Sequence, residues 1–363
     1  MNYYYKIADL IMESEFEIDS YKEFVCEPMK ADVLLTWTDE RPTAGREQIS
    51  GTVVQRRLAD GWFYHSKATD QAGLFVSSDY SRLRILGAKS NRIAGNLEWY
   101  IRIAVECMLV RRGYLSLHAA AVEVNGEAFA FSAPSGVGKS TRAQAWIDGL
   151  NAKLVNGDRP LIDTKKKELL GVPWDGKEQC FRNVQYPLKA ICEVRRCAST
   201  YIRKMTVAQR RKLLVQQCFM PMWDTDTAVI QMANISRLAA ETEMVRAFCG
   251  PTSEDARTLK NALDNHQYLK EEADMKAKQG FILRNVVDEH ILMPTGDNIG
   301  KFNGTVLLNE VSAFVWEKLQ NPISKDDLLR AILDEFEVEK AVASADLDAL
   351  LATFNEYGII ENE

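Results

Sequence analysis

Ala133-Pro134-Ser135-Gly136-Val137-Gly138-Lys139-Ser140-Thr141 is the stretch on which the reading of this chain turns. Gly136 and Gly138 allow successive backbone N–H groups to converge on an anion with no Cβ in the way. Lys139 adds a point charge suited to β- and γ-phosphates, and the Ser140 hydroxyl suits Mg²⁺. The stretch matches the phosphate-loop pattern, with Ala133 in the first glycine position. Its flanks predict a strand before and a helix over Arg142–Leu150 after, the helix turning its positive end toward the same anion. Ser135, Gly136, Val137, Gly138, Lys139, Ser140 and Thr141 are therefore the nucleotide-binding candidates. ATP and Mg²⁺ are the expected ligands.

Upstream, the runs Leu115–Val124 and Glu127–Ser132 flank Asn125-Gly126, a hairpin signal because both turn residues accept positive φ. Downstream, Ala152–Val155 reads as a buried strand leading into Asn156-Gly157-Asp158-Arg159. Asp158 emerges at the C-terminal end of that strand, facing the phosphates. A carboxylate there holds Mg²⁺ or accepts the proton of an attacking hydroxyl. The plainer reading of Asp158 is an Asx-type turn residue.

Before this core, residues 1–90 alternate short apolar segments with polar turns and predict a β-rich region, followed by a helix at Asn96–Arg111. Strand-like and helical pieces alternate over 187–235, and helical patterns follow at Ala239–Phe248 and Glu254–Leu263. The charged stretch Gln267–Gln279 reads as a linker. Beyond it come strand-like segments at Gly280–Arg284 and Glu289–Met293, then helices at Glu310–Leu319, Lys325–Phe336 and Ala341–Tyr357. The expected organisation is a β-rich region over 1–105, an ATP-binding domain over 106–266, the linker over 267–279 and a C-terminal domain over 280–363.

The 363 residues are 46% hydrophobic and 26% charged, as in soluble globular proteins, and the net charge of −6 argues against broad nucleic-acid binding. No apolar run approaches the ~18–20 residues of a membrane span. Met1–Lys6 lacks the start of a secretory signal. The seven cysteines are scattered without a Cys-x-x-Cys pair, which reads as free or buried thiols in the cytoplasm.

His118 on a strand, the hairpin, the glycine loop and then Asp158-Arg159 together resemble HPr kinase/phosphorylase. They resemble more closely the HPr-kinase-like enzymes that phosphorylate lasso precursor peptides, whose core is related to phosphoenolpyruvate carboxykinase. The resemblance spans residues 110–190 and, more loosely, 1–265. It implies an α/β P-loop kinase core of the HPr kinase type, with His118 near the terminal phosphate, Lys139 on the phosphates and Asp158 as base. The family carries two adjacent acids where this chain has Gly157-Asp158, so only the second is present. Asp175 or Glu178, in the loop where the family places acceptor binding, would compensate, with Lys177 beside them; the alternative is a solvated surface loop. Arg159 and Arg182 are candidate anion contacts.

Val306–Leu319, the helix after Ser324, and Asp346–Ile360 resemble the PqqD family, which implies a winged-helix-like, leader-peptide-binding domain. Asn309 and Ser324 read as helix N-caps and Gly358 as a C-cap. A strand edge within Gly280–Leu292 or Lys301–Leu308 would take the peptide as an added strand. The acids Asp326, Asp327, Asp334, Glu335, Glu337 and Glu339 oppose the DNA-binding alternative. The expected function is an ATP-dependent kinase acting on a Ser or Thr of a ribosomally made precursor peptide. The alternative is a nucleotide-binding peptide chaperone or adaptor that has lost its chemistry, to which Gly157 points. A carboxykinase would need metal ligands and an arginine set not found here, and the sequence leaves self-association open.

Overall fold

The structure, a computed structural model, describes residues 2–50, 53–87, 96–177, 179–197, 199–269, 275–286, 289–298 and 305–362. The chain divides into two compact units, Met1–Leu269 and Lys270–Glu363.

The first unit opens with eight strands among the described residues: β1 (Tyr3–Ile7), β2 (Leu10–Ser14), β3 (Val33–Thr38), β4 (Glu47–Ser50), β5 (Val53–Leu58), β6 (Gly61–Ser66), β7 (Thr69–Ser77) and β8 (Arg82–Leu86). They form one sheet in the order β1-β2-β3-β8-β7-β6-β5-β4. Side chains alternate across it. Trp62 and Tyr64 of β6 enter the core shared with Tyr100, Ile101, Ala104 and Val105 of α1 (Asn96–Arg112), while Phe63 packs with Phe75 and Leu86 on the other face.

The second sheet comprises β9 (Tyr114–Ser116), β10 (Ala119–Val124), β11 (Glu127–Ser132), β12 (Lys153–Asn156), β13 (Leu161–Asp163), β14 (Glu168–Leu170), β15 (Gln185–Arg196), β16 (Tyr201–Lys204), β17 (Met244–Cys249) and β18 (Tyr268–Leu269). Strand β15 is parallel to both β11 and β17. Helices α2 (Lys139–Leu150) and α5 (Ser253–Asp264) contribute to the core on one face, and α3 (Val207–Gln217) and α4 (Thr225–Glu241) to that on the other. The alternation in β11 divides the labour. Phe129 and Phe131 pack around Trp146 of α2, while the small Ala128 and Ala130 join the core formed with Leu213, Ile235 and Leu238 of α3 and α4. The β10–β11 turn uses Asn125 at φ 53° and Gly126 at φ 82°, the positive dihedrals expected of Asn-Gly.

Two sequence expectations change. The run Leu115–Val124 is not one strand: β9 ends at Ser116 and pairs with β13, and β10 begins at Ala119 and pairs with β11 and β12. Leu117 N donates to Pro160 O and His118 N to Gln217 O, so the chain changes partner at a bend that an uninterrupted apolar run conceals. Ala239–Phe248 is not one helix either. Helix α4 ends at Glu241 and Met244–Cys249 is a strand beside β15, because a short, wholly buried strand has no polar period to distinguish it from buried helix.

The second unit contains a three-stranded antiparallel sheet of β20 (Phe281–Val286), β21 (Glu289–Pro294) and β22 (Val306–Leu308), in that order, then α6 (Glu310–Lys318), α7 (Lys325–Glu335) and α8 (Lys340–Glu356). A two-stranded pair joins β19 (Met275–Ala277) to β23 (Ile360–Asn362). Leu292, Trp316, Leu328, Leu347 and Phe354 lie in its core. Asn309 Oδ1 accepts from Ser312 N and Ser324 Oγ from Asp327 N, capping α6 and α7. Gly358 at φ 63° ends α8, with Gly358 N bonded to Asn355 O and Ile359 N to Phe354 O, a Schellman pattern. Of the segment 267–279, residues 270–274 lie outside the described residues, Tyr268–Leu269 pairs with β16 and Met275–Ala277 with β23. Among the described residues no helix is long and apolar enough to cross a membrane.

Asp224, the N-cap of α4, ties three elements together: its Oδ2 accepts from Tyr80 Oη at 2.9 Å, from Arg111 Nη2 at 3.0 Å and from Thr227 Oγ1. Burial pushes its carboxyl up, but the donors Thr227, Tyr80 and Arg111 outweigh burial and hold it below the usual range. Its stabilisation is therefore present above the unfolded Asp pKa of ~4 and lost as pH falls through the folded value. Asp224→Ala should destabilise the first unit by about 2 kcal/mol, because α4 loses its N-cap and the buried Tyr80 hydroxyl its acceptor. Urea melts at pH 7 and pH 3 should show a larger loss at pH 7.

Candidate functional site

The glycine loop runs from Ala133 to Gly138, between β11 and α2. Gly136 at φ 83° and Gly138 at φ 108° occupy left-handed backbone that a side chain would strain. Lys139 opens α2 and folds back under the loop, its Nζ donating to Ala133 O at 3.1 Å with only 8% of the residue exposed. Burial pushes the ammonium's pKa down; Asp158 opposes the fall and Arg159 reinforces it. Ser135, Gly136, Ser140 and Thr141 are exposed, and Val137 and Gly138 are half-buried.

Asn156, fully buried at the end of β12, builds the neighbouring turn. Its Oδ1 accepts from Asp158 N at 3.1 Å and Arg159 N at 2.6 Å, and its Nδ2 donates to Trp174 O at 2.8 Å. The Asx turn is thus made by Asn156, and the Asp158 carboxylate is turned elsewhere: its Oδ1 lies 3.4 Å from His118 Nε2. The backbone is stitched at the same point, Ala119 N donating to Asp158 O at 3.0 Å.

His118 sits at the bend between β9 and β10. Gln217, the last residue of α3, holds it twice: its carbonyl accepts from His118 N at 2.8 Å and its Oε1 lies 3.2 Å from Nδ1. Ser132 Oγ donates to His118 O at 3.0 Å, linking the bend to the residue before the loop. Burial lowers the imidazole pKa, Lys139 and Arg159 lower it further, and Asp158 and Gln217 oppose them.

The structure thus brings His118, Lys139 and Asp158 into one electrostatic neighbourhood, with Arg159 beside them. Arg182 is occupied differently: its Nη1 donates to Leu154 O at 2.6 Å, bracing β12. Asp175 also braces backbone, accepting from Gly157 N, Gly176 N and Cys180 N at 2.7–2.8 Å, and so pins its loop to the turn that carries Asp158. Lys177 is exposed in that loop, and Glu178 lies outside the described residues. Asn156, Gln217 and Ser132, which hold this arrangement by hydrogen bonds, do not stand out in the sequence. Asn-Gly after a strand signals the Asn156 turn, whereas nothing in the sequence links Gln217 to a histidine 99 positions away. Chemically, an ammonium, a helix N-terminus and hydroxyls suit a phosphate chain, and a carboxylate suits a hard dication.

In the second unit, β20 and β22 are the edges of the three-stranded sheet among the described residues, and Leu307 of β22 is 64% exposed. Just after β22, a cavity of about 380 Å³ is lined by Val311, Phe336, Ala343, Leu347 and Leu350, with Asn309 and Asp346 among its polar residues.

Residues 289–360, from β21 into β23, match the family described as coenzyme PQQ synthesis protein D (PqqD), so this part of the chain is PqqD-like. Two solved structures are similar to about a quarter of the chain. TbiB1 in complex with the TbiA(beta) leader peptide is 19% identical, covering 24% of this chain and 94% of that one at a TM-score of 0.21. Lasso peptide synthetase B1 complexed with the leader peptide is 21% identical, covering 24% of this chain and 99% of that one, also at 0.21. No curated protein matches the chain.

An NMR titration of the His118 ring should give a midpoint below the usual histidine value. Asp158→Asn should lower that midpoint further by removing the opposing charge, whereas Lys139→Ala should raise it. A shift of the same sign in both variants contradicts the electrostatic arrangement.

Proposed function

We propose that this chain is an ATP-dependent kinase that transfers the γ-phosphoryl group to a Ser or Thr hydroxyl of a ribosomally made precursor peptide, whose leader its PqqD-like domain captures. The observation that carries the chemistry is the 3.4 Å approach of Asp158 Oδ1 to His118 Nε2 within the electrostatic reach of Lys139, which opens the helix after the glycine loop. Lys139, the loop amides and the head of α2 would hold the phosphates, and Ser140 with Asp158 would hold Mg²⁺, which neutralises charge on the transferred group. Asp158 Oδ1 faces His118, leaving Oδ2 for the cation or for the acceptor's proton. As the new O–P bond forms and the bond to the departing diphosphate oxygen breaks, the hydroxyl proton passes to Asp158. Gln217 keeps the His118 ring beside that carboxylate. Such transfer needs mainly positioning and charge, which these groups supply.

The PqqD-like part supports the peptide half of the reading. A leader strand would add to β22, an edge strand among the described residues, and the apolar cavity lined from Asn309 onward would offer sockets for its side chains. Tethering then raises the local concentration of a weakly bound acceptor to the order of mM for a short flexible link.

A second reading, a nucleotide-dependent peptide chaperone or adaptor without transfer, is favoured by one observation. Gly157 offers no carboxylate, and its N–H is taken by Asp175. One experiment separates the two: incubation with Mg–ATP and the precursor peptide encoded beside the gene, followed by mass spectrometry. The kinase gives a gain of one phosphoryl group; binding of both ligands without any gain supports the chaperone. Asp158→Asn should cut turnover by about 10²–10⁴-fold, and Lys139→Ala should abolish ATP binding. Turnover that survives Asp158→Asn would refute Asp158 as the base.

A further inference from the structure

Arg196, at the end of β15, has no role in the chemistry above, yet it grips the glycine loop. Its Nε donates to Val137 O at 3.0 Å and its Nη2 to Gly136 O at 2.5 Å. A trans peptide unit is planar, with its C=O and N–H pointing in opposite directions. Carbonyls of Gly136 and Val137 drawn toward Arg196 therefore turn the N–H groups of Val137 and Gly138 toward the opposite side of the loop. The Val137 N–H has only a long bond within its own turn, 3.4 Å to Pro134 O. Gly138 is the N-cap of α2.

This grip matters because of the glycines. With Gly136 and Gly138 both at positive φ, the backbone can rotate a peptide unit at little steric cost. Such a flip would point a carbonyl oxygen, rather than an amide, at an incoming anion. Arg196 opposes the flip with two charge-assisted bonds. A second guanidinium fixes the loop from the other end. Arg142 Nη2 donates to Cys249 O at 2.7 Å, and a Cβ on Gly138 would sit 2.5 Å from Arg142 Nη1. Cys249 is also the strand partner of Arg196 in the β15–β17 ladder, so both arginines reference the loop to the same rung of the sheet.

We propose that Arg196 is a positioning residue for anion capture, holding the loop carbonyls outward so that the loop amides stay aimed at a nucleotide polyphosphate that Arg196 itself does not touch. The inference rests on the nucleotide-binding reading of Lys139 and deepens it. It is tested by calorimetric titration of the full chain with Mg–ATP and Mg–ADP, comparing wild type, Arg196→Ala and Arg196→Lys.

Arg196→Ala should weaken both nucleotides alike, by about tenfold, roughly one hydrogen-bonded charge. Arg196→Lys should recover part of the loss, because an ammonium still donates to carbonyls. Methylguanidinium added to Arg196→Ala should also tighten ATP. Unchanged ATP affinity in Arg196→Ala overturns the inference, and so does a loss confined to ATP over ADP, which would mean direct contact with the terminal phosphate. A wild-type chain that binds neither nucleotide overturns the nucleotide reading and this inference together. Should Arg196→Ala fail to fold, Arg196→Lys decides alone: equal affinities for wild type and variant would overturn the proposal.

Discussion

An ammonium held out of water must be compensated, and the first unit is arranged around one. Lys139 is buried beneath the loop it terminates, with the Ala133 carbonyl as its near partner and the Asp158 charge as its wider support. Burial lowers the His118 imidazole pKa, and the same positive charge, with that of Arg159, lowers it further. The neighbourhood therefore contains the Lys139 and Arg159 cations, the Asp158 carboxylate and an imidazole whose pKa is lowered, so protonating His118 would add a further positive charge beside two others.

That arrangement depends on backbone more than on side-chain reach. The bend at Leu117–His118 lets one continuous stretch of chain serve two strand sets, and the bend delivers His118 to the turn after β12. Asn156 takes over the turn's hydrogen bonding, which frees the Asp158 carboxylate. Asp175 then closes the adjoining loop onto Gly157. Each of these contacts satisfies a buried amide or carbonyl that would otherwise be costly, so the site's geometry is a by-product of completing the hydrogen bonds at one end of the sheet.

The second unit solves a different problem with fewer residues. Its three helices are capped by Asn309, Ser324 and the Gly358 turn, and among the described residues β20 and β22 are the edges of its small sheet. An open edge next to an apolar cavity is a liability in isolation and an asset where a strand from another chain is to be received.

How much of this was legible in the residues follows from the range of the forces involved. Local rules sufficed for the hairpin at Asn125-Gly126, the caps at Asn309 and Ser324, the Gly358 stop and the glycine loop with its following helix, because each is decided within a few residues by dihedral preference and nearby hydrogen bonds. Periodicity failed where burial was complete on all sides, at Leu115–Val124 and Met244–Cys249, since uniform apolarity carries no phase. The partners of His118 and of the loop carbonyls were not legible at all. Gln217 and Arg196 stand 99 and about 60 positions from what they touch, and only sheet order and helix packing bring them there. Composition and spacing thus settled which groups were available. Chain topology decided which of them meet, because a hydrogen bond acts over a few ångströms and is indifferent to separation along the chain.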